Sequence, residues 1–472
     1  MLSDLEADME ANTVMPPRRG ETLPLDAAVE RLRTRLRGGV LLPHDDGYEA
    51  ARRVWNGLVD KRPAAILLCT STSDVVEAVN VARASGLTVA VRGGGHSVAG
   101  ASACDGGLVI DLSGMKAIKV DPGRRTARAE PGLTLGEFDV ATQVHGLATT
   151  MGVNSDTGIA GLTLGGGLGR LGRKHGLTCD NLLAAEIVLA DGRVMTAGAA
   201  ENRDLFWAIR GGGGNFGIVT AFEYQLHALG PLILGGLLLH DFARARDVLR
   251  LYRDFSSTAP DEVSTDAVFL TTHEGQRMLA ISACYVGPIE EGERALRPLR
   301  AFGPPAQDLI APVAYTALQA SADPLFVRGR RYYWKAHFLK TISDAAIDTM
   351  TALYAQATSP LSLAVLQQVG GAIARVPADA TAYANRGAAY DCFPAAIWDD
   401  PAQDERHIAW ARAFWTAMQP FATGGVYANN LGEEGEERVR AAYGANYARL
   451  AALKAKYDPD NLRLNQNIRP AA

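Results

Sequence analysis

The stretch LTVAVRGGGHSVAG, Leu87 to Gly100, sets Arg92, Gly93, Gly94, Gly95, His96 and Ser97 directly behind an apolar run. Successive glycines let backbone N–H groups converge in concave turns that hold phosphate oxygens. Arg92 can add positive charge there. His96 has two readings: a hydrogen-bonding loop residue, or a nucleophile toward a ligand lying on the loop. Two further glycine loops start near Gly158 and Gly211. Each alone reads as a tight turn, but three so close together point to one long ligand with several phosphates.

Two segments match GxGxxG literally, at Gly167, Gly169 and Gly172 and at Gly212, Gly214 and Gly217. A dinucleotide fold needs that motif between a strand and a helix, with an acidic residue ending the next strand. VNSDTGIAGLTL is a poor strand. Glu186 begins the run EIVLA where it would have to end it. GGGGNFGIVTAFEY passes from glycines into a strand. Both matches are therefore decoys.

The elements that position these loops are legible by period and punctuation. Leu25, Ala28, Val29, Leu32 and Leu36 fall at helical spacing, and Gly38 stops that helix. RPAAILLCTSTSDVVEAVNVARASGLTVAVRGGGH reads as a βαβ unit, its helix turning Val75, Val76, Val79 and Ala82 inward. Short strands follow from Gly106 to Pro131, with a hairpin at Asp121-Pro122-Gly123. TLGEFDVATQVHG is a helix, and AAEIVLADGRVMTAG a hairpin turning at Asp191-Gly192. Beyond Gly230 glycines thin out. Amphipathic helices such as ARARDVLRLYRDFSS then alternate with apolar strands such as MLAISACYVG and RRYYWKAHFLK. A boundary near residue 230 divides the chain.

The 472 residues exceed one ordinary core, which predicts two domains. At 47% hydrophobic and 21% charged the chain folds, and a formal charge of −5 argues against nucleic acid as a partner. No run approaches the ~20 apolar residues of a membrane helix, and PLILGGLLL reads as a core strand. The acidic start MLSDLEADME argues against a secretory signal, and residues 1–20 read as a loosely attached segment. Five cysteines without a CxxC pair suit a reduced cytoplasm and no structural metal site.

The glycine blocks together carry a family resemblance. PAAILLCTSTSDVVEAVNVARASGLTVAVRGGGHSVAG resembles the FAD-binding segment of the vanillyl-alcohol-oxidase-type flavoproteins. GIAGLTLGGGLGRLGRKHGLTCDN and LFWAIRGGGGNFGIVTAFEYQL are similar to the second and third blocks of its berberine-bridge-enzyme-like branch. GGVYANN and YDPDNLRLNQNIRP resemble the branch's Tyr-x-Asn motif and closing segment. The resemblance implies an α+β fold: a PCMH-type FAD-binding domain (21–230, joined by a returning segment, 431–472) and an antiparallel-sheet substrate domain (231–430). It implies FAD contacts at Arg92, Gly93, Gly94, Gly95, Ser97, Asn154, Gly158, Gly161, Gly165, Gly166, Gly217, Ile218, Val219, Asn465 and Asn467.

It also implies that His96 forms an 8α-histidyl bond to FAD. Asn154 stands where doubly tethered members carry cysteine, which implies one covalent bond. This resembles the nicotine-oxidising members more than the sugar oxidases. The glutamate base that the family often places before a Gly-Gly is Gln367 here, and the tyrosine that follows the triple glycine in plant members is Leu168. Tyr427, with Asn429 near it, remains as the catalytic candidate: it can orient a hydroxyl or take its proton if its pKa is lowered, or it can simply anchor its loop. Gln367 can position substrate or be a plain strand residue. In RRYYWKAHFLK, alternation sets Tyr332, Trp334, Ala336 and Phe338 against Arg331, Tyr333, Lys335 and His337, with one face expected in the core.

The implied reaction is hydride transfer from a C–H beside an alcohol or amine to FAD, with dioxygen as acceptor. Two other readings keep the flavin: an oxidative cyclisation or redox-neutral biosynthetic step, and a non-catalytic flavin carrier.

Overall fold

The computed structural model describes residues 23–432, 434–462 and 467–471. The expected loose segment 1–20 and Asn465 lie outside them.

The first half is built on two main sheets and a short two-stranded one, Leu147–Ala148 with His227–Ala228. A four-stranded sheet runs in the order Val40–Leu41, Ala65–Leu68, Leu108–Asp111, Val89–Arg92. Its last three strands are parallel. The βαβ unit forms as expected, with Leu108–Asp111 seated between its two strands. Its helix, Thr72–Ser85, starts at Ser71, whose hydroxyl accepts from Asp74 N at 3.3 Å, and stops at Gly86 in the left-handed region (φ 64°). Val75, Val79 and Ala82 are buried against Ala28, Leu32 and Ile110, while Val76 is half-buried. A five-stranded antiparallel sheet follows, ordered Ile118–Asp121, Thr126–Ala129, Ile218–Gln225, Leu182–Val188, Val194–Gly198. Both expected hairpins are in it. The glycines 211–217 run straight into the strand Ile218–Gln225, so the second GxGxxG match is not a dinucleotide turn.

Residues 232–398 supply every strand of a nine-stranded antiparallel sheet. Its central strands are Val263–Thr271, Leu363–Gln368 and Tyr390–Trp398. Helices Ala245–Thr258, Asp344–Tyr354 and Asp404–Met418 cover one face, burying Tyr252, Met350 and Phe414 with Leu366 and Cys392 of the sheet. Side chains alternate along a strand, so Gln367, Asp391 and Phe393 stand on the other face, toward the first half. RRYYWKAHFLK does not form one strand. It makes Arg331–Trp334 and His337–Leu339, broken at Lys335–Ala336. Tyr332 is buried on the face toward the first half, with Trp334 packed beside it.

Among the described residues no helix is long and apolar enough to cross a membrane.

The chain returns to the first half at its end. Helices Glu436–Tyr443 and Tyr447–Tyr457 bury Tyr443, Tyr447 and Leu450 with Phe206, Ile209 and Phe216. Lys454, fully buried, pairs with Asp458 and donates to Asn215 O at 2.7 Å. Asn215 in turn accepts from Ile468 N at 3.0 Å. Removing one partner of a buried pair leaves an uncompensated charge. Lys454→Ala is therefore expected to lower unfolding free energy by about 3–5 kcal/mol, read as a shifted urea midpoint. A midpoint unchanged from wild type would mean that the returning segment is not held by this lysine.

Candidate active site

A cavity of about 710 Å³ lies between the glycine loops and the sheet of the second half. Its floor is backbone. Gly93 and Gly94 leave the strand Val89–Arg92 and press on the chain opposite. A Cβ on Gly93 would lie 2.8 Å from Pro131 O, and one on Gly94 2.4 Å from Gly158 N. Gly95 adopts φ 70°. Gly161 faces open space, where a side chain would intrude. Gly217, at φ 146°, turns the third loop so that Ile218 and Val219 reach the cavity. Ser97, Asn154 and Asn467 also line it. Asn467 Oδ1 accepts from Tyr443 Oη at 3.1 Å, and Asn154 Nδ2 is a buried donor with no partner among the described residues. Bare backbone, an orphaned amide donor and an elongated void suit a large, hydrogen-bonding cofactor, and FAD fits.

His96 lines the same cavity in a three-ring stack. Its imidazole lies 4.0 Å from the Trp55 ring, which lies 3.8 Å from that of Tyr332. Trp55 N donates to Gly95 O at 3.0 Å, and its indole to Phe326 O at 3.1 Å. Asn56 ties Val98 to Tyr332. The histidine loop is thus clamped to the second half. Nε2 of His96 lies 3.1 Å from Asp156 Oδ1.

The roof carries the polar chemistry. Gln367 lies directly opposite Asp391 on the neighbouring strand, and both line the cavity with Trp334 and Phe393. Asp391 is 1% exposed. Burial pushes its carboxyl up to about 8, against a smaller lowering by the Asn430 amide. Asn430 Nδ2 donates to Asp391 Oδ2 at 2.7 Å, and Trp334 Nε1 donates to Asn430 Oδ1 at 3.2 Å. Oδ1 of Asp391 is buried without a partner among the described residues. An uncharged, buried carboxyl with one free oxygen in a cavity can take up or release a proton near neutral pH.

Tyr427 Oη accepts from Gly167 N at 2.9 Å and from Asn429 Nδ2 at 2.8 Å. Burial raises its phenol to about 12 despite these donors. The lowered pKa that proton uptake would need is therefore reversed. The hydroxyl keeps its proton and is a donor into the cavity, which suits orientation of a substrate oxygen or nitrogen.

Three expected cofactor contacts are not at the cavity. Arg92 falls on the opposite face of its strand from Gly93. Its guanidinium meets Asp111 Oδ2 at 3.3 Å and the Ala51 carbonyl. Gly165 and Gly166 sit behind the site: a Cβ on Gly165 would lie 2.1 Å from Asn429 Oδ1, and one on Gly166 2.8 Å from the Tyr383 ring. They let Asn429 and Tyr383 approach. Asp391, Trp55 and Asp156 escaped the sequence reading. Asp391 had one signal, a lone carboxylate inside the apolar strand YDCFPAAIW; Trp55 had none.

The family model for an FAD binding domain matches residues 63–198, and the model described as berberine and berberine like matches residues 426–469. An FAD-linked oxidoreductase of Dictyostelium discoideum is 34% identical, over 88% of this chain and 91% of its own. The (R)-6-hydroxynicotine oxidase of Paenarthrobacter nicotinovorans is 32% identical, over 92% and 97%. The crystal structure of 6-hydroxy-D-nicotine oxidase from Arthrobacter nicotinovorans superposes with a TM-score of 0.85 at 28% identity, covering 92% of this chain and 98% of that one. The glycine-floored cavity and these likenesses agree: the chain is an enzyme, and it belongs to the berberine-like family of FAD-linked oxidoreductases.

Proposed function

We propose that this enzyme is an oxidase that removes a hydride from the C–H beside an alcohol or amine of a small organic substrate, with Asp391 as the base. The carrying observation is Asp391 itself: a buried carboxyl raised to about 8, one oxygen unpartnered, facing the cavity that the histidine loop lines. When bound, FAD would supply the hydride acceptor, with dioxygen as the terminal acceptor of the electrons. Residues 21–230 and 431–472 form the FAD-holding part, and 231–430 its roof. Trp334, Phe393 and Leu168 give the substrate apolar walls. Tyr427 and Gln367 orient its polar group. Asp391 takes the hydroxyl or ammonium proton as the hydride leaves. With a carboxyl one strand away, glutamine at position 367 no longer argues for a redox-neutral step.

Asp391 is a base only when ionised. Flavin reduction, followed anaerobically by stopped flow over an alcohol and amine panel, is therefore expected to rise with pH and level off above about 8. Asp391→Asn should slow it by ~10²–10⁴-fold and remove that limb. A variant within threefold of wild type would sink the assignment.

His96 is the proposed covalent attachment point, and Asn154 allows no second tether. Acid-precipitated enzyme should stay yellow and yield one flavinylated tryptic peptide, containing His96; His96→Ala should release the colour. A cysteinyl-flavin peptide would refute the single bond.

Tyr427→Phe removes only the hydroxyl. Reduction should slow by ~10²-fold with FAD content unchanged. Wild-type reduction rates would make Tyr427 an anchor for Gly167 alone.

A further inference from the structure

We infer that Asp156 is the positioning residue that prepares His96 for attachment, by holding its Nε2–H and accepting that proton as the bond forms. The inference rests on His96 being the attachment residue. Oδ1 of Asp156 and Nε2 of His96 lie 3.1 Å apart. Both atoms are buried, and neither has a well-aligned hydrogen-bond partner among the described residues. Trp55 stacks on the imidazole at 4.0 Å, 21° from parallel, and so opposes tilting of the ring out of that plane.

The carboxylate is itself held. Arg328 reaches Asp156 Oδ2 at 3.7 Å and donates to Gly94 O at 3.1 Å. The neighbouring Ser155 N donates to Asp323 Oδ1 at 2.9 Å. The segment around 323–328 thus latches the Asp156 loop and the glycine loop together, fixing carboxylate and imidazole relative to each other.

The chemistry of attachment needs this partner. An imidazole whose Nε2–H points at a carboxylate carries its lone pair on Nδ1, and the hydrogen bond makes that nitrogen more basic. Bonding Nδ1 to the flavin's 8-methyl carbon makes the ring cationic until the Nε2 proton leaves. Overall one methyl C–H and one imidazole N–H are replaced by a C–N bond. The two electrons and two protons released pass to dioxygen, which departs as hydrogen peroxide. Among the described residues, Asp156 is the one carboxylate at bonding distance from that N–H.

The test follows covalent incorporation, not turnover. Full-length wild type, Asp156→Asn, Asp156→Glu and His96→Ala are produced with FAD, and flavin is measured before and after acid precipitation over time. Asp156→Asn keeps the side chain's shape but cannot take a proton. It is expected to bind FAD while attaching it at least ~10-fold more slowly than wild type, and Asp156→Glu should attach faster than Asp156→Asn. An Asp156→Asn enzyme that attaches at the wild-type rate overturns the inference while leaving His96 as the site. Equal failure of Asn and Glu variants to bind FAD at all would make Asp156 a structural residue and also overturns it. Wild type that releases all its flavin, as His96→Ala does, overturns the attachment reading itself.

Discussion

Backbone meets backbone at Gly94 and Gly158, and the site depends on that contact. No side chain can stand between them, because even a Cβ on Gly94 would lie 2.4 Å from Gly158 N. The consequence is geometric. The histidine loop and the loop carrying Asn154 and Asp156 are drawn onto one floor, though they come from different sheets. Next to this floor, Pro131 O excludes a Cβ on Gly93 in the same way. Glycine's conformational cost in the unfolded chain is accepted here because close approach leaves no alternative. The clamp of Trp55 and Asn56 then fixes the second half over the floor.

What the sequence made legible follows from what is local. The helix Thr72–Ser85, both hairpins and the glycine loops are specified by caps, turns and period within a few residues, and they form where expected. Gly93 to Gly95, His96, Ser97, Asn154, Gly158, Gly161, Gly217 to Val219 and Asn467 line the cavity. The misses are matters of facing and of long range. Arg92 follows the strand's alternation away from the ligand side, and its neighbour in sequence, Gly93, does not predict its partner Asp111, which belongs to the adjacent strand. Gly165 and Gly166 make room for Asn429 and Tyr383, more than 200 residues on in the chain. Trp55 meets His96 across some forty residues of chain, its backbone N donating to Gly95 O.

Gln367 illustrates the limit most clearly. Read along the chain, its position lacks the carboxylate that a proton transfer needs. Read across the sheet, it is flanked by Asp266 on one side and Asp391 on the other. Antiparallel register puts directly opposed residues on one face, a few ångströms apart. Asp391 is buried and Asp266 half-buried, and desolvation raises Asp266 to about 6 and Asp391 to about 8. Of the two, Asp391 lines the cavity and Asp266 does not. A functional group can thus move one strand sideways without leaving the site, and a pattern search along the sequence registers only its loss.

Asp156, beside His96, and Asp391, in the cavity wall, sit in different environments. Asp156 is partly exposed, and Arg328 reaches its Oδ2 at 3.7 Å while His96 Nε2 lies 3.1 Å from its Oδ1. Asp391 is buried, with one amide donor and, among the described residues, no guanidinium at hydrogen-bonding distance, surroundings that raise its carboxyl to about 8. The same burial carries a stability consequence of definite sign. A carboxyl whose folded pKa lies above its unfolded value of about 3.9 binds its proton more tightly in the native state. It therefore contributes most to stability at low pH, and that contribution is lost as pH rises through the unfolded value and on toward 8. A carboxyl buried in this way thus works against the fold in the same pH range in which it ionises, and the stack of Trp55 on Tyr332 is among the contacts that hold the roof in place.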